Sequence, residues 1–167
     1  VNKLLGQFPV DIDSATIGMG LAVQDIEALK LIVKSLLSRD VRLSLDASSL
    51  VREIIPLIEG HNVVVTPHEG EFKRLFGDSP GNKKTERISL CEKFAKKHSI
   101  TVLLKGQDDI ITNGKTSFVN SKSASCMTVG GTGDVLSGLT AGFLSRNKNT
   151  LESPSSATFV TVMAGTL

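Results

Sequence analysis

The segment VGGTGDV at residues 129–135 combines residue types that bind a phosphate with a carboxylate that could accept a proton. Its three glycines leave successive backbone N–H groups free to point at one anion, and the positive end of a following helix would strengthen that binding. Asp134 falls in the first turn of this helix, where it could take the proton of a hydroxyl that attacks a phosphoryl group. The alternative is a purely structural turn in which Thr132 caps the helix and the helix dipole favours Asp134.

A second polar segment, VTPHEGE at residues 65–71, follows an apolar run. The spacing of Thr66 and Glu69 predicts a capping box, with Pro67 at the first helical position. That interpretation leaves His68 and Glu71 without a role. Glu71 could hold a water on a nucleotide-bound Mg²⁺, because Mg²⁺ usually keeps several of its waters.

The composition excludes several other classes of protein. The 167 residues are 40% hydrophobic and 22% charged, which predicts one globular domain over residues 1–167. A net charge of +2, the lack of a charge run and the absence of Trp and Tyr argue against nucleic-acid binding. The sequence lacks a P-loop motif and the protein-kinase signatures. It also lacks an apolar stretch of about 18–20 residues and a signal-peptide core, so we expect a cytoplasmic protein without a membrane span.

Neither of the two cysteines has a partner at a recognisable spacing. Cys91 and Cys126 fit no Cys-x-x-Cys pair and no Cys/His metal pattern. We therefore expect both to be reduced thiols.

Short apolar runs alternate with segments of helical period, which predicts an α/β fold. The predicted strands cover residues 14–18, 42–46, 62–66 and 100–104, and the predicted helices cover residues 26–37, 50–58, 67–76, 83–98, 135–144 and 155–167. Asn113-Gly114 predicts a hairpin between residues 110–112 and 117–119. We expect a mostly parallel central sheet with helices on both faces and a late antiparallel hairpin. Ligands of such sheets bind at the carboxyl ends of the strands, where Gly18, Asp46, His68, Lys105 and Gly133 all fall.

Four segments resemble, in order, the ADP/ATP-dependent NAD(P)H-hydrate dehydratases, which are kinase-like repair enzymes related to the carboxyl-terminal half of bacterial YjeF proteins. They are IGMGL at residues 17–21, TPHEGE at 66–71, LKG at 104–106 and MTVGGTGDVLSG at 127–138. The resemblance implies a ribokinase-like three-layer α/β/α fold. It also implies that the single domain over residues 1–167 is incomplete at both ends.

The activity that the resemblance implies is a dehydration driven by ADP or ATP with Mg²⁺. The ring hydroxyl of NAD(P)H hydrate is phosphorylated, and loss of phosphate then restores NADH or NADPH. The implied catalytic residues are Asp134, as the base, and Gly131, Thr132 and Gly133, as the anion hole. Gly20, His68 and Asp134 are the implied hydrate-binding residues. The implied nucleotide site comprises Lys105, Gly106, Gln107, Asp108, Asp109 and Gly133, and Glu71 is implied to contact the magnesium through water.

The implied partners are the hydrate and the nucleotide, and the family's tendency to assemble suggests a homo-oligomer. The chain departs from the family pattern at Met19, Ala22, Ser48 and residues 124–126. Two other functions remain open. One is a kinase of the same fold acting on a small alcohol, such as a thiazole or pyrimidine vitamin precursor. The other is a nucleotide-binding relative without catalysis.

Overall fold

A six-stranded sheet in the order β1-β2-β3-β4-β5-β6 forms the centre of the computed structural model, which describes residues 11–21, 25–121 and 130–165. Strands β1 to β4 are parallel neighbours, whereas β4, β5 and β6 are antiparallel. This confirms the mostly parallel sheet with a late hairpin. The strands are β1 Ser14–Ile17, β2 Arg42–Leu45, β3 Val63–Val65, β4 Thr101–Leu104, β5 Asp108–Thr112 and β6 Ser117–Ser121.

Within the described residues, six helices accompany the sheet. They are α1 Ile26–Leu37, α2 Ile55–Ile58, α3 Glu69–Phe76, α4 Lys84–His98, α5 Thr132–Arg146 and α6 Glu152–Ala164, with short 3₁₀ turns at Ala47–Ser49 and Arg52–Ile54. Within the described ranges, none of them combines the length and the apolar character needed to cross a bilayer.

Alternate residues of the strands point to opposite faces of the sheet and pack in two separate cores. The helices on the two faces and the sheet between them form three layers. Val63 and Val65 pack in a core that contains buried residues of α1 to α4. Val64, between them, packs in a second core that contains Leu136 of α5 and Ala157 of α6. Because helices cover both faces of the sheet, β3 is a continuous apolar run and does not alternate between apolar and polar residues. The α/β/α prediction is confirmed.

A chain of buried and half-buried hydroxyls fixes helix α5 on the sheet. The Ser137 Oγ lies 2.6 Å from Thr16 Oγ1 and 3.1 Å from Ser44 Oγ. One turn further along, Ala141 O accepts a hydrogen bond of 2.6 Å from Ser14 Oγ. The early helix residue therefore meets the end of β1 and the later one meets its start, so α5 runs antiparallel to the strand. This orientation places the N-terminus of α5 at the carboxyl edge of the sheet.

The free thiol of Cys91 is part of the core. Burial raises its pKa from the ordinary value of 9.0 to about 12, because the charged thiolate would lose its hydration there. Cys91 is a free cysteine, in line with the prediction of a reduced thiol. Cys126 lies outside the described residues.

Several helix boundaries differ from the sequence prediction. The helix predicted at residues 50–58 is a 3₁₀ turn followed by α2, because Pro56 lies at the start of α2 and not in a helix interior. Helix α6 begins at Glu152, three residues earlier than predicted. The Asn149 side chain accepts hydrogen bonds from the backbone N–H groups of Leu151 and Glu152, which supplies the start signal. Residues 166–167 of that prediction lie outside the described residues.

The chain turns sharply after β1, where Gly18 passes against the backbone of Asp46. Gly18 has a φ of +127°, and a Cβ built there would lie 1.7 Å from Asp46 O. The Ser49 hydroxyl lies 2.9 Å from Ile17 O and 2.8 Å from Asp46 O. The two strand ends are thus locked together at a contact that only glycine permits.

Gly18→Ala should therefore lower the free energy of unfolding by about 3 kcal/mol or more, from backbone strain and steric overlap together. Gly20→Ala is the matched control, because Gly20 also has a positive φ, of +66°, but its Cβ would meet no described atom within 4 Å. The control should lose only about 1 kcal/mol. Urea denaturation compares them, and equal losses would contradict the steric argument.

Candidate functional site

An ion pair across the carboxyl edge of the sheet organises the site. Lys105 follows β4, where its backbone N–H donates to Pro67 O at 2.8 Å. Its side chain crosses the end of β3 and donates to Asp46 Oδ1, after β2, at 2.7 Å. The same ammonium lies 3.7 Å from Glu71 Oε2. The Lys105 ammonium therefore lies close to two carboxylates, at the edge of the sheet where β2, β3 and β4 end.

Asp46 is the most enclosed charge of this group. The residue is 1% exposed, and its Oδ1 also accepts a 2.8 Å hydrogen bond from the backbone N–H of Ala47. A carboxylate removed from water needs a counter-charge, and Lys105 supplies it. Both residues were predicted as strand ends, but their pairing was not, because the pairing depends on the strand order.

The segment before α3 forms a capping box, but with different residues from those predicted. The Nδ1 of His68 accepts hydrogen bonds from the backbone N–H groups of Gly70 and Glu71, at 3.0 and 3.3 Å. Glu71 Oε2 in return accepts from the His68 N–H at 2.9 Å. The prediction of a Thr66–Glu69 box was wrong, because the hydroxyl of Thr66 is buried and donates to Leu45 O instead.

These contacts define the chemical state of His68. An Nδ1 that accepts two N–H groups carries no proton, so the proton of the neutral ring is on Nε2. That nitrogen lies 3.5 Å from Glu71 Oε1, and 60% of the side chain is exposed. The inner edge of the ring thus caps the helix, while the outer edge remains available to a ligand.

His68→Asn should keep the cap, because an asparagine oxygen can accept from the same N–H groups. We expect its free energy of unfolding to stay within about 0.5 kcal/mol of wild type, and His68→Ala to lose about 1 kcal/mol. Thermal unfolding of the two variants measures the difference. If Asn costs as much as Ala, the capping role is refuted.

The glycine turn at residues 130–134 is open to solvent. Gly131 caps α5 with a φ of +93° and Thr132 is the first helical residue, so the alternative with Thr132 as the cap is wrong. A Cβ built at Gly131 would meet no described atom within 4 Å, whereas one at Gly133 would lie 3.5 Å from Lys105 Nζ. Asp134 is exposed in the same first turn. Backbone N–H groups, an ammonium and a carboxylate are therefore concentrated around one accessible space.

A cleft of about 430 Å³ adjoins this space. It is lined by His68, Glu69, Asn82, Lys84, Arg87, Lys105, Gly106, Gln107, Asp108 and Ile110. His68 and the stretch from Lys105 to Asp108, which the resemblance connects with different ligands, therefore line one cleft. The Ser121 hydroxyl and the Lys84 ammonium hold the pKa of Asp108 below its usual range.

Two of the predicted site residues, Asp109 and Gly20, do not line this cleft. Asp109 is fully buried and its Oδ1 accepts from the Gly106 N–H at 3.1 Å, so it shapes the loop after Lys105 from inside. Gly20 is exposed in the turn after β1. Neither Arg87 as a cleft residue nor the pairing of Asp46 was predicted from the sequence. A weak signal for Asp46 was its place at the end of an apolar strand.

Comparison with known proteins agrees with this geometry. The chain is 62% identical over 165 residues to the ADP-dependent (S)-NAD(P)H-hydrate dehydratase of Nitrosopumilus maritimus, covering 99% of this chain and 58% of the relative. It thus spans little more than half the length of that protein.

Solved structures share the fold. Bacillus subtilis YxkO, of the UPF0031 family, superposes with a TM-score of 0.81 at 25% identity, over 96% of this chain and 60% of that one. A ribokinase-like superfamily protein of Enterococcus faecalis gives a TM-score of 0.72 at 28% identity, over 90% and 54%. The family model described as NAD(P)H-hydrate dehydratase matches residues 9–167. The chain therefore belongs to the NAD(P)H-hydrate dehydratase family and has a ribokinase-like fold.

Proposed function

We propose that this chain carries the reaction site of an ADP-dependent NAD(P)H-hydrate dehydratase, a hydro-lyase that repairs damaged nicotinamide cofactors. The observation that carries the proposal is the open glycine turn at the N-terminus of α5, with Lys105 Nζ 3.5 Å from the Cβ position of Gly133 and Asp134 on the same turn. The 62% identity to a protein named for this activity supports the choice of reaction and of ADP as donor.

The proposed reaction has two steps. The ring hydroxyl of the hydrate attacks the terminal phosphoryl group of ADP, Asp134 accepts the hydroxyl proton, and AMP leaves. The C–O bond of the new phosphate ester then breaks, phosphate departs with the hydroxyl oxygen, and a proton leaves the neighbouring ring carbon, so that the ring double bond of NADH or NADPH is restored. The oxygen of the lost water thus leaves within the phosphate, and its two hydrogens leave as the hydroxyl proton taken by Asp134 and the proton from the ring carbon.

The backbone supplies the charge stabilisation. The N–H groups of Gly131, Thr132 and Gly133, with the positive end of α5, bind the equatorial oxygens of the phosphoryl group. Lys105 adds a full positive charge beside Gly133. In this proposal His68 presents its Nε2–H to the hydrate, and the stretch from Lys105 to Asp108 lies along the nucleotide, while the buried Asp109 supports that loop through the Gly106 N–H.

The site suits a magnesium ion that takes few of its ligands from the protein. Among the described residues, no group of three or more His, Cys, Asp or Glu could enclose a metal ion. Mg²⁺ bound to a nucleotide needs only one or two carboxylates besides phosphates and water. Glu71, whose Oε2 lies 3.7 Å from Lys105 Nζ, could take that part through a water. When bound, the ion would neutralise charge on the phosphates.

The direct test is recovery of NADH by the full-length protein. NADH hydrate is incubated with Mg²⁺ and either ADP or ATP, and the nicotinamide absorbance is followed. We expect recovery with ADP, with one phosphate and one AMP released for each NADH formed. The control omits the nucleotide and should give no recovery.

Two results would reject the proposal. No recovery with either nucleotide rejects the reaction. A phosphorylated product that accumulates without NADH would instead indicate a kinase of the same fold.

A further inference from the structure

Arg87 of α4 is a largely enclosed cation in the cleft for which the proposed reaction has no role. Its side chain is 16% exposed, and it lines the cleft together with Lys84 and Lys105. These three cations face two carboxylates in the lining, Glu69 and Asp108. Arg87 is the most enclosed of the three, because the side chains of Lys105 and Lys84 are 18% and 48% exposed.

The contacts of Arg87 leave part of its donor set unused. Its Nη1 donates to Glu69 Oε2 at 3.2 Å and to Gly81 O at 3.4 Å. These two bonds fix the guanidinium on the wall of the cleft. The Nη2 side faces Gly106, where a Cβ would lie 3.2 Å from it. Across the described part of the chain, Nε and Nη2 make no hydrogen bond, so they remain available to a ligand.

The position of Arg87 relative to Lys105 suggests the ligand group. Gly106 follows Lys105 directly in the chain, so Arg87 contacts the backbone next to the residue whose ammonium lies beside Gly133, and both side chains line the same cleft. A guanidinium held in place, with adjacent N–H donors free, matches the paired oxygens of a phosphate. Both substrates of the proposed reaction contain a diphosphate group.

We propose that Arg87 is a specificity-determining residue that binds a phosphate group within the cleft, apart from the phosphoryl group that is transferred. This rests on the proposed nucleotide and hydrate site. The phosphate belongs to the nucleotide donor or to the dinucleotide, and the experiment separates these two sources.

The experiment is calorimetric titration of the full-length protein and Arg87→Gln with ADP, AMP and adenosine, and with the reaction products NADH and NADPH. Loss of the guanidinium should weaken binding of the phosphate-bearing ligand about tenfold or more. Lys93→Gln is the matched control, because Lys93 is also on α4 and pairs with a carboxylate, Asp78, at 3.8 Å outside the cleft. It should change each affinity less than twofold, and thermal unfolding verifies that both variants are folded.

The pattern of losses identifies the phosphate. A loss for ADP and AMP, but not for adenosine, supports the inference and assigns the nucleotide. A loss for NADH or NADPH with ADP unchanged supports it and assigns the dinucleotide, and a loss confined to NADPH assigns its extra phosphate. Equal losses for adenosine and ADP, or no loss at all, would overturn the inference. None of these titrations requires turnover, so an inactive wild-type protein would reject the proposed reaction without affecting this result.

Discussion

Asp134→Asn should lower kcat by about 10² to 10⁴-fold, because the amide cannot accept the proton of the attacking hydroxyl. The affinity for ADP should stay within about threefold of wild type. The proposed anion hole consists of backbone N–H groups of residues 131–133, which the substitution leaves in place. Single-turnover kinetics with NADH hydrate and titration with ADP measure the two quantities separately.

Asp78→Asn is the control for this prediction. Asp78 is a surface carboxylate that pairs only loosely with Lys93, at 3.8 Å, and lies outside the cleft lining. Its replacement should leave kcat unchanged. Turnover of Asp134→Asn at the wild-type rate would show that the base is a different group.

Lys105→Met should lower the free energy of unfolding by about 3 kcal/mol. It leaves the carboxylate of Asp46, which is 1% exposed, without its 2.7 Å counter-charge. Breaking a buried ion pair typically costs about 3–5 kcal/mol, and we take the lower end because the Lys105 side chain is 18% exposed. Adding Asp46→Asn to Lys105→Met removes the unpaired charge, so the double variant should recover much of the loss.

Urea denaturation of the single and double variants measures this coupling. Lys93→Met, which removes an exposed lysine of a surface pair, should change the free energy of unfolding by less than about 0.5 kcal/mol. If the losses from Lys105→Met and Asp46→Asn simply add in the double variant, the two side chains are not coupled.

The fold could be predicted from the sequence where burial alone determines the pattern. Val63-Val64-Val65 is a continuous apolar run because both faces of β3 are covered, which predicts a parallel sheet between helices. Asn113-Gly114 predicted the hairpin, and Gly114 does adopt a positive φ, of +81°. At β3 and at the β5–β6 hairpin, the local residue types were sufficient to predict the structure.

The start of α3 was less predictable because two nearby residues, Thr66 and His68, could each cap the helix. Thr66 has a better capping side chain than His68 by type alone. Its hydroxyl is used by the neighbouring strand, where it donates to Leu45 O, so His68 caps α3 instead. Whether a polar side chain caps a helix or bonds to the sheet is decided by tertiary contacts.

The site was predictable as a set of strand ends but not as a set of contacts. Asp46 and Lys105 are 59 residues apart, and only the order β2-β3-β4 brings their side chains together. Arg87 lies on a helix with many charged residues, and nothing in its immediate sequence distinguishes it from its neighbours. Only the structure shows that the Arg87 side chain is largely enclosed and lies against Gly106.

The fate of the hydrate's own oxygen tests the central claim most directly. NADH hydrate with heavy oxygen in the ring hydroxyl is converted by the full-length protein with ADP, and the released phosphate is analysed by mass spectrometry. Transfer of a phosphoryl group held at the α5 turn onto that hydroxyl predicts one heavy oxygen in each phosphate. Heavy oxygen found in water, with unlabelled phosphate, would contradict phosphorylation of the hydrate and with it the role assigned to the glycine turn and Asp134.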